Sequence, residues 1–208
     1  MQKVNSAQTR YVRAKYDRTS RYYNLLEWPM ERLFYQRWRR QLFARLQGRR
    51  VLEVGLGTGK NLPFYSEKSL EAVGLDFSEG MLRHALPLAR RMGIPVVQGD
   101  VQRLPFGNDC FDAVIATFVF CSVPDPVLGF GEIRRVLKPA GRLYLLEHVL
   151  PESRIAAKWF NRLNGLAVRM MGANINRTTA RNLQHAGFEV EDERHLLSSV
   201  FRMFVARP

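Results

Sequence analysis

The sequence predicts an open α/β fold, doubly wound around a mostly parallel sheet of seven strands. From residue 50 onward, segments typical of strands alternate with segments typical of helices, which is the order that parallel strands with crossover helices require. The first strands are apolar on both faces, so helices must cover both sides of the sheet. The last two strand segments follow each other closely, and we expect them to pair antiparallel.

Start and stop signals bound the individual elements. Ser78 precedes one amphipathic helix, and Asp125 followed by Pro126 begins another, because these residue types favour helix N-termini. Pro87 should kink the first of these helices, and Gly187 should follow the end of the last one. We predict strands at 50–54, 70–75, 96–98, 111–118, 142–149, 188–194 and 199–206, helices within 1–48 and at 78–92, 126–137, 153–171 and 177–186, and a break at 138–141.

Composition and cysteine usage exclude several classes of protein. The chain has 208 residues, of which 46% are hydrophobic and 25% charged, as is usual for globular domains and unusual for disordered chains. The uncharged stretch at 113–124 is too short to cross a bilayer, and the polar N-terminus lacks the apolar core of a secretory signal. Cys110 and Cys121 form no Cys-x-x-Cys motif. We therefore expect a cytoplasmic protein without a metal site.

Positive charge is concentrated near the N-terminus. The net charge is +13, and residues 1–50 carry 13 basic side chains against 3 acidic ones. A basic arm on a nearly neutral body is typical of proteins that dock on an anionic surface, either nucleic acid or phospholipid headgroups. Within 30–46, apolar side chains fall on one helical side and Arg32, Arg39 and Arg40 fall opposite. This segment either packs on the domain with its charged face in water or lies on anionic lipid.

Three signals at the ends of successive strands predict one binding crevice. A glycine-rich turn at 55–59 follows the first strand, Asp76 ends the second, and Asp100 with Val101 follows the third. Glycines permit a tight turn and a close approach of the backbone to a ligand, and open α/β sheets bind ligands at this edge. Asp76 can accept hydrogen bonds from both hydroxyls of a ribose, or it can cap the next helix. Asp100 can accept the exocyclic amine of adenine, with the Val101 amide facing a ring nitrogen.

Five segments, in this order and spacing, carry a family resemblance: 51–60, 74–78, 99–106, 110–114 and 135–143. Over residues 48–150 the chain resembles the class I S-adenosylmethionine-dependent methyltransferases. Ala140 departs from the family pattern, which has a glycine there, in a turn away from the cofactor. The resemblance implies a Rossmann-like methyltransferase fold at 49–208, an enzyme, and S-adenosyl-L-methionine as the methyl donor.

The resemblance also implies which residues bind this donor. A sulfonium cation carries a methyl group that is already activated, so the protein chiefly aligns the acceptor and excludes water. The implied donor-binding residues are Gly55, Gly57 and Gly59 at the methionine portion, Asp76 at the ribose, Asp100 and Val101 at the adenine, Thr117 and Phe118 beside the sulfonium, and Phe77. Glu53 would organise the glycine turn and the donor's amino group, directly or through water.

The stretch that includes Tyr16 and Tyr23 resembles one subgroup, which contains the quinone C-methyltransferases and the bacterial phospholipid N-methyltransferases. The resemblance implies that residues 1–48 form a basic helical lid and that these tyrosines act near the sulfonium, although they could simply pack a helix onto the domain. His148, at the end of the fifth strand, is the only histidine placed for proton transfer, and it could instead be structural.

The acceptor that these signals favour is a hydrophobic, membrane-associated small molecule, either a phospholipid amine headgroup or a quinone. The protein would then lie peripherally on the inner face of the membrane, held through residues 1–50. A soluble acceptor such as a thiol is the alternative. Nucleic acid is disfavoured because the apolar residues 117–120 stand where RNA-modifying relatives would carry a polar motif, and the Gly-x-Gly-x-Gly spacing disfavours a nicotinamide dehydrogenase. The acceptor atom (N, C, S or O) and the oligomeric state stay open.

Overall fold

A seven-stranded sheet forms the centre of the structure, a computed structural model that describes residues 6–66, 70–197 and 199–208. The strands are β1 (Arg50–Val54), β2 (Glu71–Asp76), β3 (Val96–Gln98), β4 (Phe111–Thr117), β5 (Leu137–His148), β6 (Glu189–Leu197) and β7 (Phe201–Arg207). Their order across the sheet is β3-β2-β1-β4-β5-β7-β6. The first five strands pair in parallel, and β7 pairs antiparallel with both β5 and β6. The predicted doubly wound, mostly parallel sheet is confirmed.

In the described part of the chain, seven α-helices surround or extend the sheet. They are α1 (Ser6–Met30), α2 (Gln36–Arg45), α3 (Leu62–Tyr65), α4 (Glu79–Arg91), α5 (Pro126–Val136), α6 (Arg154–Met171) and α7 (Thr179–His185), and a π-helical turn at Glu31–Tyr35 joins α1 to α2. The predicted caps are confirmed: the Ser78 side chain accepts from the Met81 amide at 3.1 Å, and the Asp125 side chain accepts from the Leu128 amide at 3.0 Å. Gly187 adopts a φ of +84° two residues after α7 ends.

One local prediction differs from the structure, and two short elements were not predicted. The predicted break at 138–141 is part of β5, because Leu137 already pairs with Phe111 and a register shift between Phe111 and Ala113 accommodates the following residues. Helix α4 continues past Pro87, and the predicted kink there stays a prediction. The short helix α3 and the π-helical turn carry no periodic pattern of sufficient length, and the sequence therefore did not indicate them.

The core lies on both faces of the sheet, as the apolar strands predict. On one face, α5 and α7 contribute buried side chains such as Phe130 and Leu183. On the other face, α2, α3 and α4 contribute Trp38, Leu42 and Phe64 among others. Helix α2 is therefore one of the helices that cover the sheet, although it lies in the segment predicted as a separate arm. The boundary at residue 48 stays a prediction.

Residues 1–5 of the predicted basic arm lie outside the described residues. Among the helices that are described, none combines the length and the apolar character needed to cross a bilayer.

Candidate functional site

A pocket of about 680 Å³ opens at the edge of the sheet where β1, β2 and β4 end. This is the edge at which open α/β sheets bind ligands. Its walls come from the turn after β1, the ends of β2 and β4, the loop after β3, and α1. The lining residues include Tyr16, Tyr23, Gly55, Gly57, Asp76, Phe77, Asp100, Val101, Thr117 and Phe118, all of them candidates from the sequence.

The glycine turn presents backbone to this pocket. Gly55, Gly57 and Gly59 have φ angles of +71°, +58° and +85°, in the region that side chains disfavour. A Cβ placed on Gly57 would have its nearest neighbour at 3.9 Å, so a side chain there would project into open space. Gly59 does not line the pocket: a Cβ on it would meet the Leu62 side chain at 2.7 Å. Gly59 thus serves the packing of the turn against α3.

Replacing Gly55 with alanine should destabilise the fold more than the same change at a similar backbone angle elsewhere. A Cβ on Gly55 would lie 2.3 Å from a methyl carbon of Val119, whereas one on Gly93, at a φ of +66°, would meet nothing within 4 Å. We expect Gly93→Ala to cost about 1 kcal/mol from the backbone angle alone. Gly55→Ala should lose roughly 1–3 kcal/mol more through the clash, as urea denaturation would measure. Equal losses would contradict the close contact with Val119.

Asp76 holds the turn and the start of α4 together. Its Oδ2 accepts the Gly57 amide and its Oδ1 accepts the Ser78 amide, each at 2.8 Å. Burial raises the pKa of this carboxyl to about 6, against the opposing effect of the two amides. Each carboxylate oxygen has two acceptor positions, so both oxygens keep capacity for further donors from the pocket.

Asp100 and Val101 form the far wall of the pocket. The Asp100 Oδ1 accepts the backbone amide of Gln102 at 2.9 Å, and the Gln102 side-chain amide lies 3.0 Å from Oδ2. Gln102 also donates to Thr9 on α1 at 3.4 Å. The carboxylate is therefore held in place by its own loop, with α1 close by.

Glu53 lies behind the pocket wall rather than in it. Its two carboxylate oxygens accept from the Asn61 side-chain amide at 2.9 Å and from the Tyr65 hydroxyl at 2.6 Å. Burial raises the pKa of Glu53 to about 7, although both hydrogen bonds oppose that shift. Asn61 also donates to Thr117, at the end of β4, at 3.1 Å. Glu53 thus orients the residues under the glycine turn.

Helix α1 covers the pocket and is fixed at several points. The Tyr16 hydroxyl hydrogen-bonds to the Ser122 hydroxyl in the loop after β4. The Asp17 carboxylate accepts the Gly80 amide at 2.9 Å and the Ser78 hydroxyl at 2.6 Å at the start of α4. These contacts place α1 across the opening, with its tyrosines facing the pocket.

The two tyrosines form an aromatic wall. The ring of Tyr16 lies 6.4 Å from that of Tyr23 and 5.8 Å from that of Phe77. Burial raises the pKa of both phenols well above the ordinary value, so they stay protonated at neutral pH. The Tyr23 hydroxyl donates to Glu27 at 2.7 Å, and burial raises the pKa of that carboxyl too.

The structure does not bring His148 to the pocket lining. Its ring stacks on Phe160 of α6 at 5.8 Å and meets Phe201 edge-on at 5.6 Å. Burial lowers the pKa of the imidazole, so the neutral form is favoured. The catalytic role of His148 therefore stays a prediction.

Sequence reasoning missed three residues that shape the site. Arg39 reaches from α2 to Thr117 at 2.6 Å and lies over the Phe118 ring at 5.5 Å. Ser122 holds Tyr16, and Glu27 holds Tyr23. A signal existed for Glu27, since it follows Tyr23 by one helical turn, but Arg39 and Ser122 meet their partners only through the tertiary fold.

Chemically, the pocket has a polar end and an aromatic end. Two carboxylates and exposed turn backbone suit the hydroxyls and amines of a nucleoside. Aromatic rings at the other end suit an apolar or cationic group. Among the described residues that line it, there is no lysine, arginine or histidine.

Comparison with known proteins gives a consistent picture. A family model for a methyltransferase domain matches residues 52–145. Over 119 residues the chain is 39% identical to a demethylmenaquinone methyltransferase of Renibacterium salmoninarum, covering 56% of this chain and 49% of the relative. Over 106 residues it is 39% identical to a phosphatidylethanolamine N-methyltransferase of Cereibacter sphaeroides, covering 49% and 52%. The chain thus spans about half the length of these relatives.

Among solved structures, the [4+2]-cyclase SpnF superposes with a TM-score of 0.70 at 22% identity, covering 82% of this chain and 79% of that one. A likeness at this identity establishes the fold alone. Because the same fold occurs in a protein described as a cyclase, the fold alone does not identify the reaction.

Proposed function

We propose that this protein transfers a methyl group from S-adenosyl-L-methionine to a hydrophobic, membrane-associated small molecule, because residues 52–145 match the model of a methyltransferase domain. The family's donor is S-adenosyl-L-methionine. The observation that carries the proposal is the two-ended pocket, with carboxylates and glycine backbone at one end and aromatic residues of α1 at the other.

The polar end fits this donor. Asp76 would accept the ribose hydroxyls with the lone pairs that the two amides leave free. Asp100 and Val101 would hold the adenine, and the open face of Gly57 would let the donor approach the backbone. Glu53 would act indirectly, by fixing the turn. When bound, the donor supplies a methyl carbon activated by its sulfonium.

The aromatic end would receive the acceptor. Tyr16 and Tyr23 stay protonated, so they would position the acceptor through their rings and hydroxyls rather than remove a proton. Thr117 and Phe118 would separate the two ends. Because α1 is fixed at Ser122 and at the start of α4, it would exclude water from the reacting groups.

Within this class, a phospholipid amine is the acceptor that the geometry favours. The rings of Tyr16, Tyr23 and Phe77, which pack in tilted and edge-on pairs, would attract a protonated amine. The amine must lose that proton before its nitrogen attacks the methyl carbon, and Glu27, hydrogen-bonded to Tyr23, would be the carboxyl that accepts it. The name of the Cereibacter sphaeroides relative points to the same acceptor.

A quinone is the second candidate. The pocket's apolar wall, with Phe118, Val119, Val123 and Pro124, suits a flat ring with an alkyl tail. The name of the Renibacterium salmoninarum relative supports this reading. Either acceptor resides in a bilayer, and the basic residues within 1–50 would hold the protein peripherally on an anionic membrane at the inner face.

The test is methyl transfer from labelled S-adenosyl-L-methionine to a panel of acceptors in mixed micelles. The panel contains phosphatidylethanolamine, a demethylated menaquinone and a small thiol. We expect labelled lipid, with a mass gain of about 14 daltons per methyl group, and about tenfold less transfer after Tyr23→Phe if the hydroxyl positions the acceptor. Exclusive labelling of the thiol would refute the membrane-resident acceptor and establish the alternative.

A further inference from the structure

Helix α6 carries an apolar stripe that faces away from the protein. Ile155, Trp159, Leu163 and Leu166 are between 46% and 76% exposed. At about 100° per residue, the four positions fall within about 80° of one another around the helix. On its inner side α6 is anchored by Phe160, which stacks on His148. Within the described chain, no other segment covers this stripe.

The charges on α6 are all of one sign. Arg154, Lys158, Arg162 and Arg169 are its charged residues, and the helix contains no aspartate or glutamate. Lys158 and Arg162 fall on one edge of the stripe, within about 60° of it. A protein partner would ordinarily be met by charges of both signs, whereas a stripe of leucine, isoleucine and tryptophan edged only by basic residues matches the interface of an anionic bilayer.

Helix α1 continues this surface beside the pocket. The Lys15 ammonium donates to the Val168 carbonyl at 3.2 Å and also contacts the Arg169 carbonyl, so the C-terminal end of α6 abuts α1. Tyr22 and Leu26, 63% and 71% exposed, fall within about 40° of Lys15 around α1. Both helices therefore expose apolar side chains on either side of the same junction.

We propose that α6, together with the adjoining side of α1, forms one docking surface for an anionic phospholipid bilayer. The apolar stripe would enter the headgroup region, with Trp159 at its centre, while Lys158 and Arg162 meet lipid phosphates. The inference rests on the proposed function, because docking would bring a membrane-resident acceptor to the pocket. The surface adjoins α1, whose tyrosines line that pocket. Vesicle binding itself requires no methyl transfer.

The experiment is co-sedimentation of the full chain with vesicles of phosphatidylcholine containing either no phosphatidylglycerol or roughly 30%, so that only the second set carries the negative surface potential that attracts basic residues. We expect binding that depends on the anionic lipid. Lys158→Gln with Arg162→Gln should weaken it about 30-fold, since each basic residue near the surface contributes about a fivefold effect. Trp159→Ser with Leu163→Ser should weaken it at least about tenfold.

Matched controls come from other secondary-structure elements. Arg90→Gln with Arg91→Gln removes the same charge from exposed positions of α4, and Leu197→Ser removes an exposed leucine from β6. Neither should change vesicle binding. If the α4 variant lost as much vesicle binding as the α6 variant, binding would depend on net charge alone, and the proposal would be overturned. The proposal would also be overturned if the chain formed a concentration-dependent dimer that the Trp159 and Leu163 changes abolished. The apolar stripe would then be the contact with a second copy of the chain.

Failure of this inference is distinguishable from failure of the proposed function. Methyl transfer to phosphatidylethanolamine in micelles, combined with no vesicle binding, would remove the docking surface and leave the activity standing. Vesicle binding without transfer to any acceptor would support the docking surface and refute the proposed activity. The tryptophan emission of the wild-type chain gives a second readout, since burial of Trp159 in the headgroup region should shift it to shorter wavelength.

Discussion

Replacing Asp76 with alanine is expected to weaken the binding of S-adenosylhomocysteine, the demethylated donor, by about 100-fold or more. The carboxylate would lose two charge-assisted hydrogen bonds to the ribose, worth roughly 1.5–3 kcal/mol each. Isothermal titration calorimetry measures the affinity. Unchanged affinity in the folded variant would refute the ribose role.

The conservative variant separates binding from folding. Asp76 also accepts the Gly57 and Ser78 amides, so Asp76→Ala disturbs the turn as well as the ligand site. Asp76→Asn keeps an acceptor oxygen and the shape of the side chain but cannot carry charge. We expect Asp76→Asn to weaken binding less than Asp76→Ala and to unfold closer to the wild-type urea concentration.

The pH dependence follows from the raised pKa of Asp76. Burial raises it from 3.8 to about 6 in the folded chain, so the folded state binds this proton more tightly than the unfolded state. The group's contribution to the free energy of unfolding therefore falls as pH rises from about 4 to about 6 and is constant above that range. Affinity for S-adenosylhomocysteine should rise through pH 6 in the wild type and stay flat in Asp76→Asn.

The polar end of the site could be predicted from sequence because it depends on local patterns and one topological rule. Successive parallel strands end at the same edge of a sheet. A glycine turn after β1, an acid at the end of β2 and another after β3 must therefore lie near one another, and all three line the pocket. Each of these three signals can be recognised from the strand that precedes it, without knowledge of the rest of the fold.

The remaining features of the site depend on contacts between segments that are distant in the chain. Helical periodicity placed Arg39 opposite the apolar side, in a basic face exposed to water or lipid, yet its side chain is buried beneath the π-helical turn. Periodicity measures apolar residues and cannot recognise a charge that is satisfied internally. The meeting of Tyr16 with Ser122, 106 residues apart, is beyond sequence patterns for the same reason.

Among the charged residues, Arg39 gives the largest expected effect on stability. Its guanidinium lies 3.3 Å from the Glu31 carboxylate and donates to Asn61 at 2.9 Å and to Thr117 at 2.6 Å. Arg39→Met should lower the free energy of unfolding by about 3 kcal/mol, because the change leaves a largely buried carboxylate without its charge partner and removes one hydrogen-bond donor each from Asn61 and Thr117. The measurement is urea denaturation at pH 7.

The neighbouring Arg40 is the matched control, since it is exposed on the same helix. Arg40→Met should change the free energy of unfolding by less than about 0.5 kcal/mol. Adding Glu31→Gln to Arg39→Met should recover part of the loss, because the unpaired carboxylate is then removed. Such recovery would show that Arg39 and Glu31 form an internal ion pair within the arm, which Arg39 also connects to the end of β4 through its hydrogen bond to Thr117. Equal losses at positions 39 and 40 would mean instead that Arg39 belongs to the outer basic face that the sequence pattern predicts.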